Sequence, residues 1–174
     1  TAIASLAGYP NLINQIFITK KINDDGMYQL SLFIDGQFQI VYVDDYFPCK
    51  KGKPKNDDPR NSLFFLRTST FEIWGMLLEK AWAKVNGGYG NIVTGSISDL
   101  LRALTGYSCE FVITRQLEAN KKDKEKDAEL NLTQTLKTAF ANKSIVCGTT
   151  RGDDNKLKKL GLEPGCSYNL LYGD

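Results

Sequence analysis

Residues 71–85 constrain the fold most. Phe71, Trp74, Leu77, Leu78, Ala81, Trp82 and Val85 recur at i, i+3, i+4 and i+7, which lays apolar side chains along one stripe of an α-helix. Ser69 or Thr70 stands where a helix cap belongs, and Asn86-Gly87-Gly88 stands where the helix must stop. At this spacing the two tryptophans read as core packing rather than as a stacking platform for a ligand.

A second constraint is Asp35-Gly36, a strong two-residue hairpin signal. It joins Met27–Ile34 to Gln37–Val43, both strand-like. Before it, Gly8-Tyr9-Pro10-Asn11 interrupts an opening helix, Leu12–Phe17 has the spacing of a short amphipathic one, and Asn23-Asp24-Asp25-Gly26 is a turn. Pro48 through Pro59 is a lysine-rich loop and Leu63–Leu66 a short apolar strand. A short helix over Asp99–Leu104 starts from Ser96 or Ser98 and stops at Thr105-Gly106. Cys109–Thr114, Ser144–Thr149 and Ser167–Tyr172 are strand-like, the last two flanking a polar loop, and Leu132–Phe140 is a helix. Helices therefore give way to strands near residues 95–107, which predicts a two-lobed α+β protein. The opening residues are helix-like with no cap and no initiating Met, so the chain reads as a piece of a longer protein.

Composition narrows the function by exclusion. The 174 residues suffice for one ordinary domain or two small lobes. Lys plus Arg is 22 against 20 for Asp plus Glu, a net charge of +2, too little to argue for nucleic acid as a partner. The run Asn120–Asp127 carries both signs and reads as a solvated loop. No apolar run approaches the ~18 residues of a membrane span, and no leader segment is visible. Cys49, Cys109, Cys147 and Cys166 form no C-x-x-C pair, so they read as plain thiols of a reducing compartment. The expected setting is cytoplasmic, with cytoskeletal association left open. The chain contains no histidine, which removes every mechanism that draws an imidazole base or ligand from these residues.

Few residues suggest chemistry by themselves. Asp44-Asp45 lies at a strand end where paired carboxylates could hold a metal or divide a proton, although a turn-and-cap role competes. Asn86-Gly87-Gly88-Tyr89-Gly90 looks like a phosphate cradle but lacks the Lys and Ser/Thr that phosphate binding needs. A helix end and loop is the simpler reading.

The order of local motifs says more. Thr1-Ala2-Ile3-Ala4-Ser5-Leu6-Ala7 resembles the stretch that follows the nucleophile of calpain-type cysteine proteases, and Val41-Tyr42-Val43-Asp44-Asp45-Tyr46-Phe47-Pro48 resembles the calpain Val-Val-Val-Asp-Asp-x-x-Pro hairpin. Glu72 to Gly87 is similar almost residue by residue to the family's Glu-Phe-Trp…Leu-Leu-Glu-Lys-Ala-Tyr-Ala-Lys-x-Asn-Gly helix. Gly95-Ser96 and Leu104-Thr105-Gly106 follow in the family's order. The resemblance implies a papain-like α+β catalytic core, with residues 1–96 as the helical lobe and 97–174 as the start of the β-rich lobe.

It also implies a site. The nucleophilic cysteine would lie about four residues before Thr1, and the orienting asparagine beyond Asp174. The family's general base is the histidine of a Gly-His-Ala-Tyr-Ser-Val strand, which Gly165-Cys166-Ser167-Tyr168-Asn169-Leu170 matches, so Cys166 occupies the histidine position. A thiol, which ordinarily titrates near ~8.5, carries no positive charge to hold a nucleophile as thiolate and protonates a leaving amine poorly. Gly95 and Gly165 match glycines lining the substrate cleft, Trp74 an aromatic beside it, and Glu72 a calcium ligand of the calcium-regulated members. The expectation is a protease fold that has lost proteolysis, serving as a structural or peptide-binding module beside other domains or protein partners. Its partner would be an extended peptide, with no certain cofactor and calcium left open. The alternative is an active calcium-dependent thiol endopeptidase with an unconventional base.

Overall fold

The computed structural model describes residues 1–53, 56, 58–68, 72–112, 122–151 and 154–171, with 122–130 and 154 by backbone alone. The chain divides into two compact units, Ala2–Ser108 and Cys109–Asp174, the latter joined by Thr1.

In the first unit, α1 (Ala2–Ser5) tightens into a 3-10 turn at Leu6–Gly8. Pro10 opens α2 (Pro10–Ile16) from the first helical position, where its missing N–H is not needed and its φ is already helical. The residues that interrupt one helix thus begin the next. Antiparallel β1 (Met27–Ile34) and β2 (Gln37–Asp44) are joined through Asp35 and Gly36, at φ 51° and 83°, the positive angles that the tight hairpin turn requires. Tyr28, Leu30 and Leu32 alternate inward from β1, and Val41 and Val43 from β2. Helix α3 (Trp74–Val85) packs on β2, and α4 (Ile97–Thr105) on β1, while α1 touches both helices. Leu6, Leu30, Leu32, Leu77 and Leu78 are the largest fully buried side chains, so the core fills the space between hairpin and helices.

Two local expectations change. Leu63–Leu66 is not a strand: Leu63 alone bridges to Cys49. The bridge is made by the Lys50 N–H donating to the Ser62 carbonyl and the Phe64 N–H to the Pro48 carbonyl, and the next N–H on that side, Leu66, donates to the Glu79 carboxylate instead, so the pairing stops there. Helix α3 begins at Trp74 with Ile73 at its cap and no side-chain cap bond. Ser69, Thr70 and Phe71 lie outside the described residues. Helix α4 starts after Ser96 and ends at Gly106, left-handed at φ 74°, where the sequence places the stop. Because α4 packs on α1, α2 and β1, the unit continues past residue 96 to Ser108.

In the second unit, α5 (Lys122–Ala141) is followed by β3 (Val146–Thr149), α6 (Asp154–Lys159) and β4 (Ser167–Leu170). Strands β3 and β4 are antiparallel, with Thr149 opposite Ser167. Lys122–Asp127 is helix rather than loop, as befits a run in which Lys122, Lys124, Glu125 and Lys126 are good helix formers and the charges cancel; Asn120 and Lys121 lie outside the described residues. Cys109–Val112 forms no strand, and Ile113 and Thr114 also lie outside them, as do Tyr172 and Asp174. The described part of this unit thus holds more helix than strand, where the sequence suggests a strand-rich region. The polar inter-strand loop contains α6 because Asn155-Lys156-Leu157-Lys158-Lys159 has too few β-branched residues to continue a strand.

Candidate functional site

The β3–β4 hairpin positions Cys166. Gly165 sits at φ 69°, a conformation that glycine adopts without steric cost. Its N–H donates to the Thr150 carbonyl at 3.0 Å, and the Thr150 N–H donates to the Cys166 carbonyl at 2.9 Å. The Cys166 N–H donates to Thr150 Oγ1 at 3.1 Å. That hydroxyl has the Cys166 and Glu163 carbonyls at 3.0 and 2.5 Å as acceptors for its one proton. Cys166 is exposed and in no disulfide. Nearby, the Glu163 N–H donates to the Tyr168 hydroxyl at 2.8 Å, and Thr149 and Ser167 share a hydroxyl hydrogen bond of 3.1 Å. Thr1 lies in this unit too: its hydroxyl donates to the Ser167 carbonyl at 2.9 Å.

In the first unit, Glu72 and Trp74 meet at the start of α3. The half-buried Trp74 indole N–H donates to Glu72 Oε2 at 3.2 Å, and the Glu72 carbonyl accepts from the Thr68 hydroxyl at 2.7 Å. Gly95 is exposed, its φ is not positive, and a Cβ built there would meet no heavy atom within 4 Å. Among the described residues nothing demands glycine at 95, whereas the backbone angle favours it at 165. The structure thus brings Glu72 to Trp74 and Gly165 to Cys166.

The match from Glu72 to Gly87 also has structural content. Glu79 accepts the Leu66 N–H at 3.0 Å; its half-buried setting pushes the carboxyl above its ordinary range, outweighing that hydrogen bond. Lys80 is paired with Asp44 and also donates to the Tyr46 carbonyl, while Lys84 Nζ donates to the Tyr42 carbonyl at 2.7 Å. The Lys80 hydrogen bond, and next the Tyr46 N–H at 2.8 Å, hold the Asp44 carboxyl below its usual range. Asp44 is therefore a turn and tether residue. Tyr89, beyond the helix, stacks on Phe65 at 4.4 Å, and burial first pushes its hydroxyl up to about 12. An open groove of about 570 Å³ lies between hairpin and α3, lined by Met27, Tyr42, Val43, Lys80, Lys84 and Tyr89 among others. None of Glu72, Trp74, Gly95, Gly165 or Cys166 lines it.

The sequence misses Thr150. Its signal is positional: it directly follows β3, opposite a glycine that opens β4, and the strand register had to be known to see it.

Comparison with known families agrees with the motif order. The family model described as calpain family cysteine protease matches residues 1–172. The chain belongs to the calpain family. A calpain-type cysteine protease of Zea mays is 30% identical over 166 residues, covering 91% of this chain and 7% of that protein. Calpain-5 of Caenorhabditis elegans is 33% identical over 148 residues, covering 82% of this chain and 21% of its own length. Calpain-12 of Homo sapiens is 28% identical over 174 residues, 97% of this chain and 21% of its own. The calpain-family chain thus spans a small part of each relative, all of which are much longer. Among its described residues, no helix is long and apolar enough to cross a membrane.

Calcium takes six to eight oxygen ligands. Among the described residues of this calpain-family chain, no three Asp, Glu, His or Cys side chains gather as a metal site, and the Glu72 carboxylate faces the Trp74 indole. These residues do not fit a calcium site by themselves.

Proposed function

We propose that this calpain-family domain is catalytically inactive and acts as a structural or peptide-binding module within a larger protein, through its other domains or protein partners. The observation that carries the reading is Cys166 at the family's histidine position, in a chain with no histidine anywhere. A papain-like nucleophile needs an imidazole that first pairs with the thiolate and then protonates the departing amine. A neutral thiol does neither well.

What remains suits binding without cleavage. Gly95 offers open backbone with no side chain over it, and such backbone can hold an extended peptide by main-chain hydrogen bonds. The family resemblance assigns Gly165 and Trp74 to peptide binding as well.

The test is peptidase activity of the full-length protein, with and without calcium, beside a Cys166→His variant. Silence from wild type and a gain of at least about a hundredfold over background in the variant supports the reading, since one triad member is worth orders of magnitude. Silence from both narrows it to a structural role. Calcium-dependent cleavage by the wild type overturns it in favour of an endopeptidase with another base.

A further inference from the structure

We infer that Thr150 is the positioning residue for position 166, holding it on a glycine-type β-bulge. The inference rests on the reading of 166 as the family's base position. Past the paired Thr149 and Ser167, the ladder does not continue one against one. Gly165 and Cys166 together face Thr150: the first donates its N–H to the Thr150 carbonyl, and the second accepts the Thr150 N–H. Two residues against one, with the first a left-handed glycine, define such a bulge, a device that re-aims a side chain at a strand end.

A bulge leaves one backbone group without a ladder partner. Here that group is the Cys166 N–H, and Thr150 Oγ1 takes it at 3.1 Å. The same hydroxyl returns its proton to a carbonyl of the turn, Glu163 or Cys166. Valine, with the same shape, could do neither; serine could do both. The Cys166 side chain is left exposed, so the device fixes the backbone and leaves the identity of the side chain free.

The test is amide hydrogen exchange at single-residue resolution in the full-length protein, for Thr150→Val, Thr150→Ser and Gly165→Ala. This readout does not involve peptidase activity, so it is independent of whether the domain is inactive. Thr150→Val should speed exchange at Cys166 about tenfold, the scale of one lost hydrogen bond, while Val146–Gly148 keep their protection. Thr150→Ser should stay within about twofold of wild type at every amide. Gly165→Ala should speed exchange at positions 165 and 166 together, because the φ at 165 is unsuited to alanine. The inference fails if Thr150→Val leaves Cys166 unchanged, if serine does not preserve protection, or if Thr150→Val loosens both strands equally.

Discussion

Gly106→Ala is the substitution whose cost the structure defines best. Gly106 caps α4 at φ 74°, its N–H donating to the Arg102 carbonyl at 2.7 Å. A left-handed residue with a Cβ costs about 1–2 kcal/mol. The new Cβ would also lie 2.7 Å from Phe38 Cζ, closer than atoms can approach. Phe38 is 60% exposed, so it can swing outward, but it then leaves its edge-on contact with Phe33, whose ring centre is 5.2 Å away. Such a contact is worth about 0.5–1.5 kcal/mol. Together the two effects predict a loss of about 1.5–3.5 kcal/mol. Urea unfolding followed by tryptophan fluorescence measures it, because the chain's two tryptophans, Trp74 and Trp82, both lie in α3 of the same unit. In a Phe38→Ala background the cost should fall to the backbone part alone, about 1–2 kcal/mol. A loss below about 0.5 kcal/mol, or the same loss in both backgrounds, would refute the reasoning.

The tethers of α3 give two pH-dependent predictions. Lys80→Met removes the partner of Asp44, whose side chain is 57% exposed, so the loss should be at most about 1 kcal/mol at neutral pH. Because Lys80 lowers the folded-state value of Asp44, that stabilisation is present above the unfolded carboxyl's range and is lost as pH falls through the folded value. Urea midpoints of wild type and variant should therefore converge in acid, and a gap that widened there would contradict the pairing. Glu79 has the opposite sign: burial raises it, so the folded state binds more protons and wild-type stability falls as pH climbs from the ordinary carboxyl range through the raised one. Glu79→Gln keeps an acceptor for the Leu66 N–H, so it should match or exceed wild type at pH 8 by no more than about 1 kcal/mol. A variant that is clearly weaker at pH 8 than at pH 4, relative to wild type, would count against this.

Much of the fold was legible because it depends on local signals. Asp35-Gly36 fixed the hairpin through the only angles its turn accepts, and Gly106 ended α4 for the same reason. The α3 stripe predicted Leu77, Leu78 and Ala81 as core. What escaped depends on partners distant in sequence. Leu63–Leu66 has strand composition, but Glu79, thirteen residues away, takes the Leu66 N–H. The charge run at Lys122 looks like a solvated loop by pattern, and only propensity over a long window favours α5. At the candidate site, family motif order pointed to Cys166 and Gly165 as an expectation, while Thr150 required the pairing of β3 with β4.

On the proposed reading, fold and chemistry are carried by different residues, so one can persist without the other. Lys80, Lys84 and Glu79 bind α3 to the hairpin and to Leu66 through contacts in the first unit. None of those contacts passes through position 166. At 166 the ladder holds the main chain, through Thr150 and Gly165, and the side chain stands exposed. Exchange of an imidazole for a thiol at such a position removes the charged partner of a nucleophile while deleting no core contact. The stability of Cys166→His should accordingly lie within about 0.5 kcal/mol of wild type, even where its chemistry differs by orders of magnitude. A large stability change in that variant would mean that the thiol is part of the packing, and the separation argued here would not hold.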